Sequence, residues 1–566
     1  MARQFQLTGG NSINARRSVF DLSRSVLFDT NVGDITPSFV QEVYPGDTFS
    51  VSSNCVIRTP SSLERPFFGN LFIDTYYFFV PNRLVFNDWE GVFGENKQSY
   101  WARENNAEVP TISGSVYSGT VPDYLGVAPG RYGSSTTGGV TTEYGTPVQA
   151  LRFRAFALIY NEWFRDENNI APTYIQTGGS TSIESFNNNP WGENNYCGLR
   201  PKAGKIKDIF TAALPSPQKG EAVQAVTLDD FLPLSARDVT FNGGVLEGIS
   251  PIDTIRFARS DSMGGLSTVT GQSLGLNSGG ALSAANSFSV PSGLYNEGTI
   301  TGTNLGIDAS DFYTINDLRV ALATQRLLEI QATAGTRYVE FLASMFNVRA
   351  ADARVQRSEY LGGKRTPIQI QQAISQNGGT DDIGTSGSLG RVGAWSLTNA
   401  SSGFRKSFVE HGYVIGVSVI RQRHIYQQGN EKALYRTKQT DFYNPLFANI
   451  GLVPIRDYEL YAGVQGDNGI FGYNEAWYDL RYAPNSVRGH MRNAAGSGSL
   501  DMWHIADDYT NTPVLSKQFI EETDQFFNKQ MVSEDDAQFI IDMYHKVKAV
   551  RELPVISTPS LTGFRN

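Results

Sequence analysis

The sequence predicts a mainly β fold, one framework carrying long loop insertions and a few helices, on three observations. Apolar and polar residues alternate with period two in short runs bounded by turn residues. Three long stretches, at 112–146, 235–310 and 376–403, are rich in Gly, Ser, Thr and Asn and carry only scattered apolar residues. Finally, 12% aromatic against only 18% charged residues in a 566-residue chain supplies enough apolar surface for a large core. No fixed-period repeat occurs, as expected of a single framework with irregular insertions.

In chain order, the first strand signal is TFSVSSNCVI from Thr48 to Ile57. Phe49, Val51, Cys55 and Ile57 share one side of the alternation, after a Tyr44-Pro45-Gly46-Asp47 turn. Asn70 to Val80 (NLFIDTYYFFV), closed by Pro81, is apolar on both faces and should be covered on both sides. Leu151 to Phe164 has enough aliphatic and aromatic residues for one buried helix. A capping box at Thr314-Ile315-Asn316-Asp317 opens a second, with Leu318, Leu322, Gln325 and Leu328 at helical spacing. Gly335 interrupts it, and Tyr338, Phe341, Leu342 and Met345 form another amphipathic turn. From Tyr413 to Tyr426 a further strand is expected, Tyr413, Ile415, Val417 and Val419 alternating before Arg421 and Arg423 mark an exit to solvent or a partner. Near the end, an acidic amphipathic segment (Glu521 to Asp542) leads into a basic tail, a pattern of partner contact as much as of a solvated face.

Composition narrows function. No run approaches the roughly 18 apolar residues of a membrane helix, so no membrane insertion is expected. Met1 to Leu7 lead into no apolar signal region, and a cytoplasmic or lysis-released protein is expected. Cys55 and Cys197 exclude a disulfide scaffold and a CxxC zinc site. The net charge of −9 argues against a surface wholly devoted to coating nucleic acid. Arg outnumbers Lys, 34 to 13, and Arg is suited to bidentate contacts in interfaces and equally to intrachain pairing.

Searching for chemistry yields little. HExxH, GxSxG and GxGxxG are absent, and Gly362-Gly363-Lys364-Arg365 lacks the Ser/Thr and the first Gly of a phosphate loop. Trp503-His504 with Asp507 and Asp508 offers ligand types for a divalent ion but reads better as packing. Glu410 and His411 point to opposite faces at the head of a strand and read as structural. Paired carboxylates for glycoside hydrolysis leave no spacing signature. With Trp163, Trp191 and Trp477 as groove aromatics, an all-β carbohydrate-active enzyme is the alternative function. The same residues also suit subunit interfaces. No catalytic residue, metal or cofactor is assigned.

The residues also carry a family resemblance. Pro45-Gly46-Asp47-Thr48-Phe49, Phe78-Phe79-Val80-Pro81-Asn82-Arg83-Leu84 and Trp89-Glu90 are followed by Tyr160 to Asn168 (YNEWFRDEN), Asp208-Ile209-Phe210-Thr211 and Leu214 to Gly220 (LPSPQKG). Asn316-Asp317-Leu318-Arg319, Gly335-Thr336-Arg337-Tyr338, Glu359 to Gly363, Glu410-His411-Gly412, Tyr426 to Gly429, Phe471 to Glu475 and Trp503-His504 come later. In this order they resemble the major capsid protein of microviruses, small tailless phages with circular single-stranded DNA, and particularly the gokushovirus branch.

The resemblance implies an eight-stranded antiparallel viral jelly roll, a single capsid domain over 1–566. It implies self-assembly through pentamers into a T=1 icosahedral shell around single-stranded DNA, with a small basic DNA-binding phage protein and assembly scaffolding proteins as partners. The expected location is the virion capsid, assembled in the bacterial host cytoplasm. By place, the Gly/Ser-rich insertion at 230–310 resembles a three-fold surface protrusion contacting a host cell-surface receptor, with Gly264, Gly265, Leu266, Gly275, Leu276, Gly279 and Gly280 as candidates. DNA-facing charge is expected at Arg3, Arg16, Arg17, Arg24, Lys546, Lys548, Arg551 and Arg565.

Overall fold

The structure, a computed structural model, describes residues 17–60, 67–93, 108–137, 140–179, 184–220, 315–349, 351–374, 398–493, 498–531 and 537–556, plus the short strands named below between 240 and 284 and at 392–396. Nine strands build the framework: β1 (Ser18–Asp21), β2 (Arg24–Thr30), β3 (Thr36–Val43), β4 (Thr48–Arg58), β5 (Leu71–Pro81), β6 (Glu359–Pro367), β7 (Thr398–Ser407), β8 (Gly412–Gln422) and β9 (Phe539–Arg551). In the first sheet β1 and β2 lie end to end along β9, which is followed by β4 and β7; the second has the order β6, β5, β8, β3. All pairings are antiparallel. With β1 and β2 taken as one interrupted strand, every connection except β5 to β6 crosses between the sheets. This is the double Greek key of an eight-stranded jelly roll.

The pleat dictates what each sheet buries. Facing residues of both sheets, Phe39, Phe49, Val51, Tyr77, Phe79, Phe404, Val414 and Val547, pack in one cluster, and Cys55, Ile57, Ile73, Ile420, Ile541 and Met543 in a second. Each such side chain contributes about 1.5–3 kcal/mol by leaving water. Between the sheets runs one polar chain: the Tyr77 hydroxyl donates to Ser53 Oγ (2.6 Å), which sits 2.6 Å from His545 Nδ1, while His545 Nε2 meets the Ser38 carbonyl at 3.0 Å. Burial pushes this imidazole down to about 4, so at neutral pH it is uncharged, donating through Nε2 and accepting at Nδ1.

Strands β4 and β9 alternate strictly, because the outer face of their sheet is open; on β9, Asp542, Tyr544, Lys546 and Lys548 point out. By contrast, β5 and β8 are buried on both faces. Their second face carries Phe78, Val80, Tyr413, Ile415, Val417 and Val419 and is covered by the β5–β6 insertion, through Leu151, Phe153, Phe156 and Tyr160. The expected cover on both sides of Asn70–Val80 is thus met. For Tyr413–Tyr426 one expectation is corrected: Arg421 is still inside β8, with its guanidinium on the buried carboxylate of Asp74 (Nε to Oδ2, 2.9 Å).

Two insertions account for most of the chain. The first, from Asn82 to Ser358, contains helix α1 (Leu151–Ile159), which continues as a π-helical turn at Tyr160–Phe164. Arg154, wholly buried at the base of α1, holds Glu184 in a bidentate pair (2.6 and 2.7 Å). The stretch at 112–146, expected to be loop, instead supplies strands Thr111–Val116, Gly130–Tyr132, Ser134–Thr137 and Val140–Glu143. Helices α2 (Ile315–Ala334) and α3 (Tyr338–Phe346) follow as predicted, separated by Gly335 at φ 94. Thr314 of the capping box lies outside the described residues. The second insertion, Arg423 to Gln538, is mostly short 3-10 turns and one hairpin, Leu452–Arg456 with Ile470–Glu475.

The chain divides into two compact units, 1–217 with 332–566, and 218–331. In the second unit the described strands are three short hairpins: Thr240–Phe241 with Gly244–Val245, Phe257–Ser260 with Leu266–Val269, and Leu274–Leu276 with Leu282–Ala284.

Candidate functional site

The charges singled out from the sequence end in different surroundings. Lys546 and Lys548 stand on the open outer face of β9, close to Asp21 of β1. Arg17 pairs with Glu552 (3.1 Å), Arg551 with Asp47 (3.2 Å), and Arg24 lies over the Phe39 ring while donating to Gln41 Oε1 (3.1 Å). Arg3, Arg16 and Arg565 lie outside the described residues. Among the insertion residues, Leu266 pairs with Ser260, Gly275 with Ser283 and Leu276 with Leu282, whereas Gly264, Gly265, Gly279 and Gly280 are outside the described residues.

The supposed basic tail is a correction. Through Arg551 it is the central strand β9, its lysines falling on alternate outward positions. The acidic segment is likewise not one solvated face, because Glu522 is buried and serves a charge cluster. There His424 Nδ1 lies 2.7 Å from Asp507 Oδ1 and its Nε2 3.0 Å from Glu522 Oε1. Lys205 Nζ stands 3.4 Å from Asp507 Oδ2, to which the Tyr509 hydroxyl donates at 2.8 Å. Burial pushes His424 toward neutrality, but Asp507 and Glu522 outweigh it and raise the imidazole to about 9. The cluster therefore carries two positive and two negative charges and ties both insertions to the end of β8. With all four side chains 3% exposed or less, it clamps structure rather than meeting a substrate.

The remaining chemical candidates are also taken up in packing. His504 Nε2 meets the Met491 carbonyl at 2.6 Å and its Nδ1 accepts from the Ala506 N–H; no group of three metal-ligating side chains occurs among the described residues. Glu410 pairs with Arg83 (2.5 Å), and His411 stacks on Phe93, its ring centroid 4.8 Å away. Trp191 is buried and donates to Thr173 Oγ1, Trp163 donates to Ser358 Oγ, and Trp477 to the Phe447 carbonyl. Gly362 to Arg365 belong to β6.

What the sequence reading missed is an apolar surface on the second insertion. Between Lys432 and Phe447 three 3-10 turns follow one another, the last capped by Asn444 Oδ1 accepting from the Leu446 N–H (3.1 Å). They and the residues just after them present Leu434, Phe442, Tyr443, Leu446 and Ile450 to solvent, with Leu446 87% exposed, and Leu480, three residues after Trp477, is also exposed. Tyr443 packs edge-on to Trp477 at 5.3 Å, fixing part of that surface. Aromatic and aliphatic side chains at this density mark a surface for protein contact rather than a solvated one. The available signal was LYRTKQTDFYNPLFANI, with seven large apolar residues and no helical or strand period.

Comparison with known proteins gives the same answer as the topology. Residues 10–561 match the phage family described as capsid protein (F protein). The chain is 35% identical over 572 residues to the capsid protein VP1 of Spiroplasma virus 4, covering 98% of this chain and 97% of that protein. It is 33% identical to the capsid protein VP1 of Bdellovibrio phage phiMH2K (98% and 97% covered), and 30% identical to that of Chlamydia phage 1 (96% of each). A jelly roll with enlarged insertions, an open sheet face and exposed aromatic turns is what such a subunit requires, and the chain belongs to this capsid protein (F protein) family, as a structural major capsid protein of the microvirus type rather than an enzyme.

Proposed function

We propose that the chain assembles through pentamers into a T=1 icosahedral shell around a circular single-stranded DNA genome, in the bacterial host cytoplasm, as a gokushovirus-like coat. The observation that carries the contact geometry is the exposed run Leu434 to Ile450, which a second copy would cover. Packaged DNA calls for local positive charge in a chain of net charge −9. Lys546 and Lys548 on the open face of β9 supply some of it, with Arg3, Arg16, Arg17, Arg24, Arg551 and Arg565 as further contributors, and a small basic DNA-binding protein the rest. Scaffolding proteins would assist closure.

Sedimentation of the purified chain with and without single-stranded DNA and the assembly partners tests this. Rings or shells are expected, and Leu446→Lys should abolish them while leaving the subunit's unfolding transition within about 0.5 kcal/mol of the parent, as for an exposed site. A monomer under every condition overturns the shell. In the 230–310 insertion, whose Gly and Leu positions were named above, we propose the receptor contact. Deleting Leu266 to Leu282 should leave shells intact and abolish adsorption to the host, and unchanged adsorption sinks that part.

A further inference from the structure

A cavity of about 660 Å³ opens on the outer side of the second sheet, walled by Tyr76 and Phe78 from β5, Tyr360 from β6, and Trp163 and Phe164 from the π-helical turn. Phe78 stands 5.3 Å from Trp163 and 5.7 Å from Tyr360, and Tyr76 stands 5.9 Å from Phe164, so the rings brace one another. Tyr76 and Phe164 are only half-buried and Tyr360 is 43% exposed, which leaves apolar surface facing water. The charges around this wall are neutralised within the chain. Lys205 pairs with Asp507, Lys207 with Asp166, Arg337 with Glu167 and Glu340, and Arg365 and Arg421 with Asp74, while Arg357 covers the Trp163 ring at 3.8 Å. Such a cavity selects for shape and apolar surface, and against a charged occupant, whose desolvation nothing there would offset.

The second insertion carries the complementary feature. From Phe442 to Ile455 the sequence has no charged residue, and Pro445-Leu446-Phe447 forms its protruding 3-10 turn. Asn444 caps this turn, the Trp477 indole N–H donates to the Phe447 carbonyl at 2.8 Å, and Tyr443 packs edge-on to Trp477, so the turn is braced before anything meets it. Docking a braced turn forfeits little conformational freedom. Leu553, Val555 and Ile556 are exposed as well, but they lie in no helix or strand and would have to be ordered on docking. Leu446 is 87% exposed, so it does not enter the cavity of its own chain.

We infer that the Pro445–Phe447 turn of one subunit seats in this cavity of a second copy, with Leu446 against Tyr360 and Phe164. The inference rests on the proposal that a second copy covers the Leu434 to Ile450 run, and it adds what receives that run. An uncharged, preformed apolar turn matches an apolar wall whose cations are already paired. Turn and cavity are different patches of one chain, so the contact is head-to-tail, and its repetition generates a ring where the rotation closes. A two-fold contact of the run with itself would instead bring Leu446 to Leu446 and leave the cavity out of the interface.

The test uses the full chain. Chains carrying Leu446→Cys and chains carrying Tyr360→Cys, mixed under mild oxidation, should form a disulfide-linked dimer that neither gives alone; the native Cys55 and Cys197 are buried and do not compete. Gly204→Phe fills the cavity from a lining position where an added Cβ has no neighbour closer than 3.9 Å. It should raise the concentration at which rings form by about tenfold or more, as blocking a central anchor does, with the unfolding transition of the parent. Linking of the Leu446→Cys chain to itself but not to the Tyr360→Cys chain overturns the proposal in favour of a two-fold contact. A folded Gly204→Phe chain that assembles like the parent overturns it too, and if that variant does not fold, the mixed crosslink decides. Rings that survive Leu446→Lys defeat both the covering of the run and this inference. Rings lost in Leu446→Lys but kept in Gly204→Phe defeat this inference alone. If the parent forms no shell yet the mixed crosslink appears, the shell reading fails and this contact stands.

Discussion

Replacing His424 by Gln should destabilise the subunit in a way that depends on pH. The imidazole is the shared counter-charge of two buried carboxylates, Asp507 and Glu522, with Lys205 on the far side of Asp507. Its value is raised from 6.5 to about 9 in the folded chain, and each unit corresponds to about 1.4 kcal/mol, so the charged form contributes roughly 3 kcal/mol. A group raised on folding gives its full stabilisation below its unfolded value of 6.5 and loses it as pH climbs through about 9. Removing one partner of a buried charge group costs about 3–5 kcal/mol, consistent with that figure. Urea unfolding of parent and variant from pH 6 to pH 9.5, followed by tryptophan fluorescence, should show a gap of about 3 kcal/mol at the acid end, closing toward zero at the alkaline end. A gap that stays constant with pH would refute a charged His424 and leave a purely steric role.

The opposite limb belongs to His545. Its value is depressed to about 4, so its stabilisation is complete above 6.5 and is lost as pH falls through about 4; His545→Gln should flatten the acid side of the stability profile measured by the same assay. Glu184→Ala leaves the Arg154 guanidinium charged and wholly buried, and should cost about 3–5 kcal/mol in the unfolding transition, with a variant inside 1 kcal/mol of the parent contradicting the pairing. At Gly429 an added Cβ would collide with the Glu459 backbone carbonyl, whereas at Gly178 it meets open space. Gly429→Ala should therefore reduce soluble yield and shell formation, and Gly178→Ala neither, as sedimentation of the two variants will show.

The strands legible in the sequence are those whose side chains announce both faces. Thr48 to Arg58 alternates because one face is open, and Leu71 to Pro81 is apolar throughout because an insertion covers the other. β9 escaped because Asp542, Lys546 and Lys548 fill its outward positions and read as a charged tail, while the inward His545 and Ala549 are weak apolar signals. β7 escaped because in TNASSGFRKS the buried apolar side chains among the described residues are Ala400 and Phe404, and its Gly403 is needed where the Val51 carbonyl passes too closely for a Cβ. The His424 cluster joins residues near 205, 424, 507 and 522. No local period encodes such meetings; they follow from the strand order. Function was legible by another route, through the motif blocks of the resemblance, which name a family without locating a surface.

The position of β9 has a consequence for synthesis. It lies between the β1/β2 pair and β4, contributing both ladders that hold the first sheet's middle together, yet it is encoded after two long insertions. Until residues 539–551 leave the ribosome, β2 has no partner in its sheet and β4 keeps a bare edge, a template for wrong pairing. A nascent chain is thus unable to finish its sandwich early. The half-made subunit has no complete wall to offer a growing shell, and incomplete translation products are excluded by geometry before any chaperone or protease has to recognise them.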